Sequence, residues 1–356
     1  MSEAAVRRAF DDQARVCAGL GSPFTARICE LMAARLDRSY LVGQRVLDWP
    51  GQPDAHGDAL PLRLCGALHA LARQGRVEAV TAAWPPSPQP DDDRLWTAIQ
   101  LAFRHEAPFV LDWIKGPPQT NEVGRSAALM TGLLVLADRY GLPFELYELG
   151  SSAGLNLNLD RYAFNLGGVA AGDSASPVKL VPEWIGTPPP GAAVRIAGRQ
   201  GVDVDPLPTS DSTTGERLMA YVWADQRDRV QRLQAALMIA QAAPPSVARS
   251  DAAAWLERVL DPNPAAGICR VVMHTIAYQY FSADSQARVR AQLDRVGARA
   301  TAEARLAWLT YEGGKPVGAD GRRWAELSLT TWPGGQTQVL ARGHPHGGLI
   351  EMRATL

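Results

Sequence analysis

The chain lacks what would tie it to nucleic acid, to a membrane or to a disulfide framework. Its 36 Lys and Arg against 37 Asp and Glu leave a net charge of −1 and a pI near 6.6, so there is no basic field to attract a polyanion. The two signs are intermixed, without the like-charge runs of an interaction tail. The opening MSEAAVRRAFDDQARV has no apolar core of a secretion signal, and no stretch reaches the ~18 consecutive apolar residues of a membrane span; a soluble, cytoplasmic, bacterial-type protein is expected. Cysteine is scarce: Cys17, Cys29, Cys65 and Cys269 form no CxxC pair and have no histidines beside them, which excludes a zinc-ligand pattern and leaves buried free thiols. His344 and His346 in RGHPHGG lack a carboxylate or thiolate cluster to complete a metal site, so no metal is expected. No internal repeat or low-complexity segment occurs.

What is present divides in texture. Residues 1–140 read as a helical domain. SPFTARICELMAARLD sets Phe24, Ile28, Leu31 and Leu36 near one face, opened by Ser22 and Pro23. Helices follow at Leu60–Gln74, at Asp92–Arg104 and at Glu122–Tyr140, the last ending at Gly141 and Pro143. Residues 141–356 alternate strands and helices, the pattern of a mostly parallel sheet covered on both faces. Strands are expected at Phe144–Leu149, Ala193–Ala197, Ser246–Arg249, Cys269–His274 and Arg305–Tyr311, and helices at Gly215–Ala242, Ala252–Leu260 and Ala283–Arg295. WAELSLTTWP and QTQVLARGHP, parted by Gly334 and Gly335, read as an antiparallel hairpin. A second hairpin, about 162–185, is inserted before the second main strand.

The stretch FELYELGSSAGLNLNLDRYAF carries the chemistry. Glu148 closes a strand, and Gly150, Ser151, Ser152, Ala153 and Gly154 form a small-residue loop that lets a ligand approach the backbone. Leu155 stands where a dinucleotide fingerprint needs its third small residue, and no Lys supplies a P-loop. A carboxylate at Glu148 repels phosphate and suits a cation, which favours S-adenosylmethionine. The polar Asn156, Asn158 and Asp160 follow at once. Asp203 or Asp205, just past the second strand, can accept ribose hydroxyls, or serve only a local turn. Asp251 can take an adenine amino group or cap the next helix. His274, at the end of the fourth strand, is a candidate general base or a satisfied core histidine. In GPPQTNEVGRSA, Asn121 or Thr120 can cap the helix before strand one; Glu122 and Arg125 sit on one side of its first turns, and antiparallel packing brings that end to the ligand edge. With Tyr278 they would line the side of a small-molecule acceptor. The letters of Gly150–Gly154 also fit the elbow G-x-S-x-G, which would make Ser152 a hydrolase nucleophile partnered by Asp251 or Asp261 and by His274 or His344.

Taken in order, PPQTNEVGRSA, ELGSSAGLNLNLDRYAF, RQGVDVDP and MHTIAYQYF resemble the bacterial family known as domain of unknown function 2332. From Glu148 onward the order is similar to class I S-adenosylmethionine-dependent methyltransferases. That resemblance implies an α/β, Rossmann-like sheet of seven strands ending in an antiparallel hairpin. It also implies a cofactor site at Glu148, Gly150, Ser152 and Gly154, a ribose acid at Asp203, an adenine contact at Asp251 and catalysis near His274. Ser152 stands where that motif has its middle glycine. The Asn/Asp-Pro-Pro-Tyr/Phe signature of amino-methylating enzymes is absent at His274-Thr275. A non-catalytic binding or regulatory protein on the same scaffold remains the alternative expectation.

Overall fold

A computed structural model describes residues 2–260, 266–313 and 324–353; Asp261, named above as a possible triad acid, lies outside them. The described residues form two compact units, one of residues 1–120 with 212–231 and one of residues 121–211 with 232–356.

The first unit is helical: α1 (Glu3–Gly19), α2 (Pro23–Arg35), α3 (Leu41–Leu47), α4 (Leu60–Arg73), α5 (Glu78–Ala83), α6 (Asp92–His105) and α7 (Ala107–Trp113), joined by α9 (Ser212–Tyr221) from much later in the chain. Phe10, Phe24, Leu64, Leu68, Leu71 and Phe103 fill its core. Asp91 caps α6 by accepting from the Arg94 amide, as the acidic run there predicts. His69 on α4 donates from Nδ1 to the Ala220 carbonyl at 3.1 Å, and burial pushes its pKa down to about 4. The one long helix expected over 215–242 is instead α9 and α10 (Arg227–Ala242) with a break between them. Asp225 in that break accepts from the Ser22 hydroxyl (2.6 Å) and the Phe24 amide (2.9 Å), so it serves as a distant cap for α2. All four cysteines are buried free thiols.

The second unit starts earlier than residue 141, because α8 (Ser126–Tyr140) packs on the sheet: a Cβ on Gly132 would lie 2.3 Å from Leu309 Cδ1. The sheet is mixed and mostly parallel, with nine strands among the described residues rather than seven. Its strands are β1 (Phe144–Leu149), β5 (Glu183–Ile185), β6 (Ile196–Asp203), β7 (Val247–Arg249), β8 (Ile268–Thr275), β9 (Ala304–Gly313), β10 (Ala325–Trp332), β11 (Gln336–Gly343) and β12 (Leu349–Met352). The order is β5-β12-β11-β10-β9-β8-β1-β6-β7. From β7 to β9 all neighbours are parallel, and β10, β11 and β12 follow as an antiparallel meander. The expected hairpin is β10 with β11. Helices α11 (Ala252–Leu260) and α12 (Ala283–Gly297) cover one face through Trp255, Leu256, Val289 and Leu293. Among the described residues no helix is long and apolar enough to cross a membrane.

The insertion differs from its expected form. Its hairpin spans only the first part of that stretch, β2 (Ala163–Leu166) against β3 (Val169–Gly172), with β4 (Lys179–Leu180) parallel to β2. The stretch ends in β5, which leaves the insertion and pairs with β12 at the edge of the large sheet. The second main strand also starts later than expected, so that Asp203 is its last residue rather than one beyond its end. Gly198 and Gly201 make this run resemble a turn. Gly201 is there for space, since a Cβ would sit 2.1 Å from Ser151 Oγ and 3.1 Å from Leu157 Cδ1. Gly201→Ala is accordingly expected to displace the loop after β1 and cost about 1–3 kcal/mol in urea unfolding; unchanged stability would mean that the loop yields freely.

Candidate functional site

The strand order reverses between β1 and β8, and the crevice outside the carboxyl ends of strands at such a point is where open α/β sheets bind ligands. The loop after β1 lies there. It turns through three left-handed residues, Gly150 (φ 68), Ser152 (φ 53) and Gly154 (φ 72). Glycine takes that conformation freely, whereas Ser152 is strained in it and needs support. Asp203 gives the support: its Oδ2 accepts from the Ser152 amide at 2.8 Å and its Oδ1 from the Asp205 amide at 2.9 Å. Ser151 is held by both strands, its amide donating to the Val202 carbonyl of β6 (3.0 Å) and its hydroxyl to the Glu148 carbonyl of β1 (2.8 Å). A short 3-10 segment, Leu155–Arg161, follows.

The beginning of α8 does meet this edge, as antiparallel packing predicts. Asn121 Oδ1 accepts from the Leu155 amide at 2.9 Å, so Asn121 caps the segment after the loop rather than its own helix. Glu122 instead caps the 3-10 turn Val123–Arg125 by accepting from the Gly124 amide at 2.9 Å, and it lies 3.9 Å from the Arg232 guanidinium. Arg125 donates to the carbonyls of Thr275 (3.1 Å) and Pro345 (2.9 Å), tying the end of β8 to the loop after β11. Ser126 Oγ donates to Asn156 Oδ1 at 2.7 Å, which orients the Asn156 amide toward Glu148.

Glu148 is the unusual member. It is 2% exposed, receives one long bond from Asn156 Nδ2 (3.4 Å) on Oε1, and its buried Oε2 has no hydrogen-bond partner. Burial pushes its pKa up to about 8; the Asn156 bond opposes this and the Asp203 charge adds to it. Ser152 Oγ, in the same loop, is likewise buried without a partner.

His274 occupies a different environment from the one expected of a base. Trp308 donates its indole N–H to His274 Nε2 at 3.0 Å, so that nitrogen must be the unprotonated one. Nδ1 then carries the proton and donates to Glu312 Oε1 at 2.7 Å. With both nitrogens engaged and the side chain 1% exposed, no lone pair faces a substrate. The satisfied-core alternative describes it, and the general-base expectation is corrected. Tyr278 stacks on the imidazole, with centroids 5.0 Å apart and planes at 15°, and donates its hydroxyl to the Gln286 carbonyl at 2.7 Å.

The other acids are also engaged. Asp251 caps α11 through the Ala254 amide (3.0 Å) and accepts from Ser285 Oγ (3.0 Å). Burial would raise its pKa, but these bonds outweigh that and leave it lowered. Asp205 pairs at the surface with Arg249 at 2.5 Å. Among the described residues Ser152 Oγ bonds to no imidazole, and His344 Nδ1 accepts from the His346 amide.

Asn121, Arg125, Glu148, the 150–154 loop, Asn156 and Asp203 thus converge on the carboxyl ends of β1, β6 and β8. The neighbouring segment joins them, since a Cβ on Gly150 would lie 2.7 Å from that of Ala277. Glu312 and Trp308 were not anticipated from the sequence. The signal for Glu312 was the one that marks Glu148, an acid at the end of an apolar strand run.

A family model described as an uncharacterized protein conserved in bacteria, domain of unknown function 2332, matches residues 7–352. No curated protein and no solved structure matches the chain.

Proposed function

Starting from a chain that belongs to the domain of unknown function 2332 family, we propose that it binds S-adenosylmethionine at the carboxyl end of β1 in a Rossmann-like, class I methyltransferase-like arrangement. The acceptor in this reading is a small molecule. The observation that carries it is the buried Glu148 oxygen without a partner. A carboxyl group held near pKa 8 by burial is mostly protonated at neutral pH, and an arriving cation stabilises its ionised form. Phosphate-bearing ligands fit less well, because the Leu155 amide already donates to Asn121 and the loop offers no lysine.

S-adenosylmethionine would supply an activated methyl group on its sulfonium. The chain's part is to bind and orient. Gly150 and Gly154 allow close backbone approach, Asp203 stands at the end of the adjacent strand, where a ribose acid belongs in such folds, and Glu148 answers the positive charge. Since His274 has no free nitrogen, proximity rather than proton abstraction by that residue is the protein's contribution. The same locked imidazole favours a second reading, a regulatory protein that binds the cofactor without turning it over.

Calorimetric titration separates these possibilities. S-adenosylmethionine and S-adenosylhomocysteine are expected to bind at sub-millimolar concentration, and NAD and ATP are not. Asp203→Ala should weaken binding about tenfold or more, through loss of ribose bonds and of the Ser152 support. Failure of both sulfur compounds to bind the wild type ends the proposal. Binding without any product from a panel of acceptors would favour the regulatory reading.

A further inference from the structure

A second carboxylate at the sheet's ligand edge has, like Glu148, one oxygen that nothing described so far uses. Glu312, on β9, has one saturated oxygen: Oε1 accepts from His274 Nδ1–H (2.7 Å), the Ala277 amide (3.0 Å) and the Tyr278 amide (3.2 Å). Its other oxygen, Oε2, is buried and has no partner. The two amides are aimed by Ile276, a β-branched residue at φ 47 whose own amide is fixed to the Tyr311 carbonyl at 2.8 Å. A left-handed β-branched residue is a real conformational cost, and such strain is kept where the surroundings over-determine it, often at ligand sites. Trp308 donates to the far nitrogen of His274, which holds the ring with Nδ1–H turned to Glu312. The carboxyl feels burial, which raises its pKa, and the three donors, which prevail and hold it below the ordinary value. Near neutral pH it is therefore ionised. The Arg290 guanidinium lies 4.5 Å from the centroid of the Trp308 ring, over its face.

An ionised carboxylate with three bonds on one oxygen and none on the other is unbalanced. A buried acceptor left without a donor costs about what a hydrogen bond gains, and more when it is charged. We propose that Glu312 Oε2 binds an N–H-bearing cation, an ammonium or guanidinium group, as the anchoring group of the small-molecule acceptor. The cation is an anchor and not the reacting atom. Its assignment to an acceptor rests on the methyltransferase-like reading, whereas the binding site itself does not. Quaternary ammonium is excluded from this class because it has no N–H to give Oε2. Glu312 lies two strands from Glu148, at the other side of the β1–β8 reversal, so one ligand cation per carboxylate is the natural division.

The test uses n-butylammonium and methylguanidinium chlorides as probes, with 1-butanol as the uncharged counterpart, read by ligand-observed NMR up to about 100 mM. Glu312→Gln is the informative variant. It keeps an oxygen for His274 and the two amides and changes only the unpartnered position and the charge, so thermal unfolding should be little altered. Wild type is expected to bind both cations in preference to butanol, and Glu312→Gln to weaken them about tenfold or more, with S-adenosylmethionine affinity unchanged. Binding of the cofactor but of neither cation overturns the anchor and spares the cofactor reading. Binding of the cations but not of the cofactor keeps the Glu312 site and removes its assignment to a methyl acceptor. Equal affinity of wild type and variant, or of butanol and butylammonium, overturns the site, and so does a shift of the binding loss to Arg290→Gln.

Discussion

Glu148→Gln is expected to make the protein more stable than wild type at pH 8.5 and nearly equal to it near pH 4.5. In the wild type, the folded chain holds a proton on Glu148 up to about pH 8, while the unfolded chain releases it near the ordinary 4.5. Between those values the folded state binds more protons, so wild-type stability falls as pH rises through that window and levels off above it. At about 1.4 kcal/mol for each pH unit, the difference amounts to a few kcal/mol. Glutamine has no such proton to lose. Urea unfolding of both proteins at several pH values reads the effect directly, and parallel curves would show that the Glu148 carboxyl is solvated by something other than Asn156. A bound cation should act in the opposite sense. It favours the ionised form, so its affinity for wild type should rise with pH toward 8 and release a proton, detectable as a buffer-dependent binding enthalpy. The variant should show neither effect.

The second large effect concerns His274. Replacement by alanine removes an acceptor from the Trp308 indole, a donor from Glu312 and the ring on which Tyr278 stacks. Each buried group left unsatisfied costs about 1–3 kcal/mol, and the cavity adds to this. A loss of about 3 kcal/mol or more is expected in denaturant unfolding. A catalytic base would behave differently, losing turnover with little change in stability. If His274→Ala proves as stable as wild type, the Trp308–His274–Glu312 chain is not the structural element that its geometry implies.

These two residues show what a single sequence reveals. Glu148 and its loop were legible because the chemistry is local: an apolar run, an acid and small residues follow one another within a dozen positions. The placement of the α8 start was legible too, because a short connection such as GLPF leaves few ways to pack a helix on the strand it precedes. His274 was not, because its character is decided by Trp308 and Glu312, 34 and 38 residues further along. Periodicity alone does not report which side chains on neighbouring strands will face one another. The same holds for β5, three residues long, whose partner β12 lies more than 160 residues on. The break between α9 and α10 was hidden by a helical pattern that continues across it. Asp203 and Asp251 were read beyond the ends of their strands, and Asp203 is instead the last residue of β6; whether a carboxylate is free or already engaged depends on amides and hydroxyls that only the folded chain brings to it.

The return of residues 212–231 to the helical unit has a consequence for synthesis. When residue 120 leaves the ribosome, α4 lacks the Ala220 carbonyl that His69 donates to, and α2 lacks the Asp225 carboxylate at its first turn. These partners arrive only after β1, the inserted hairpin and β6 have been made. The first helices to be translated are thus among the later ones to be completed, and a fragment ending at residue 120 or 140 would carry their unmet bonds permanently.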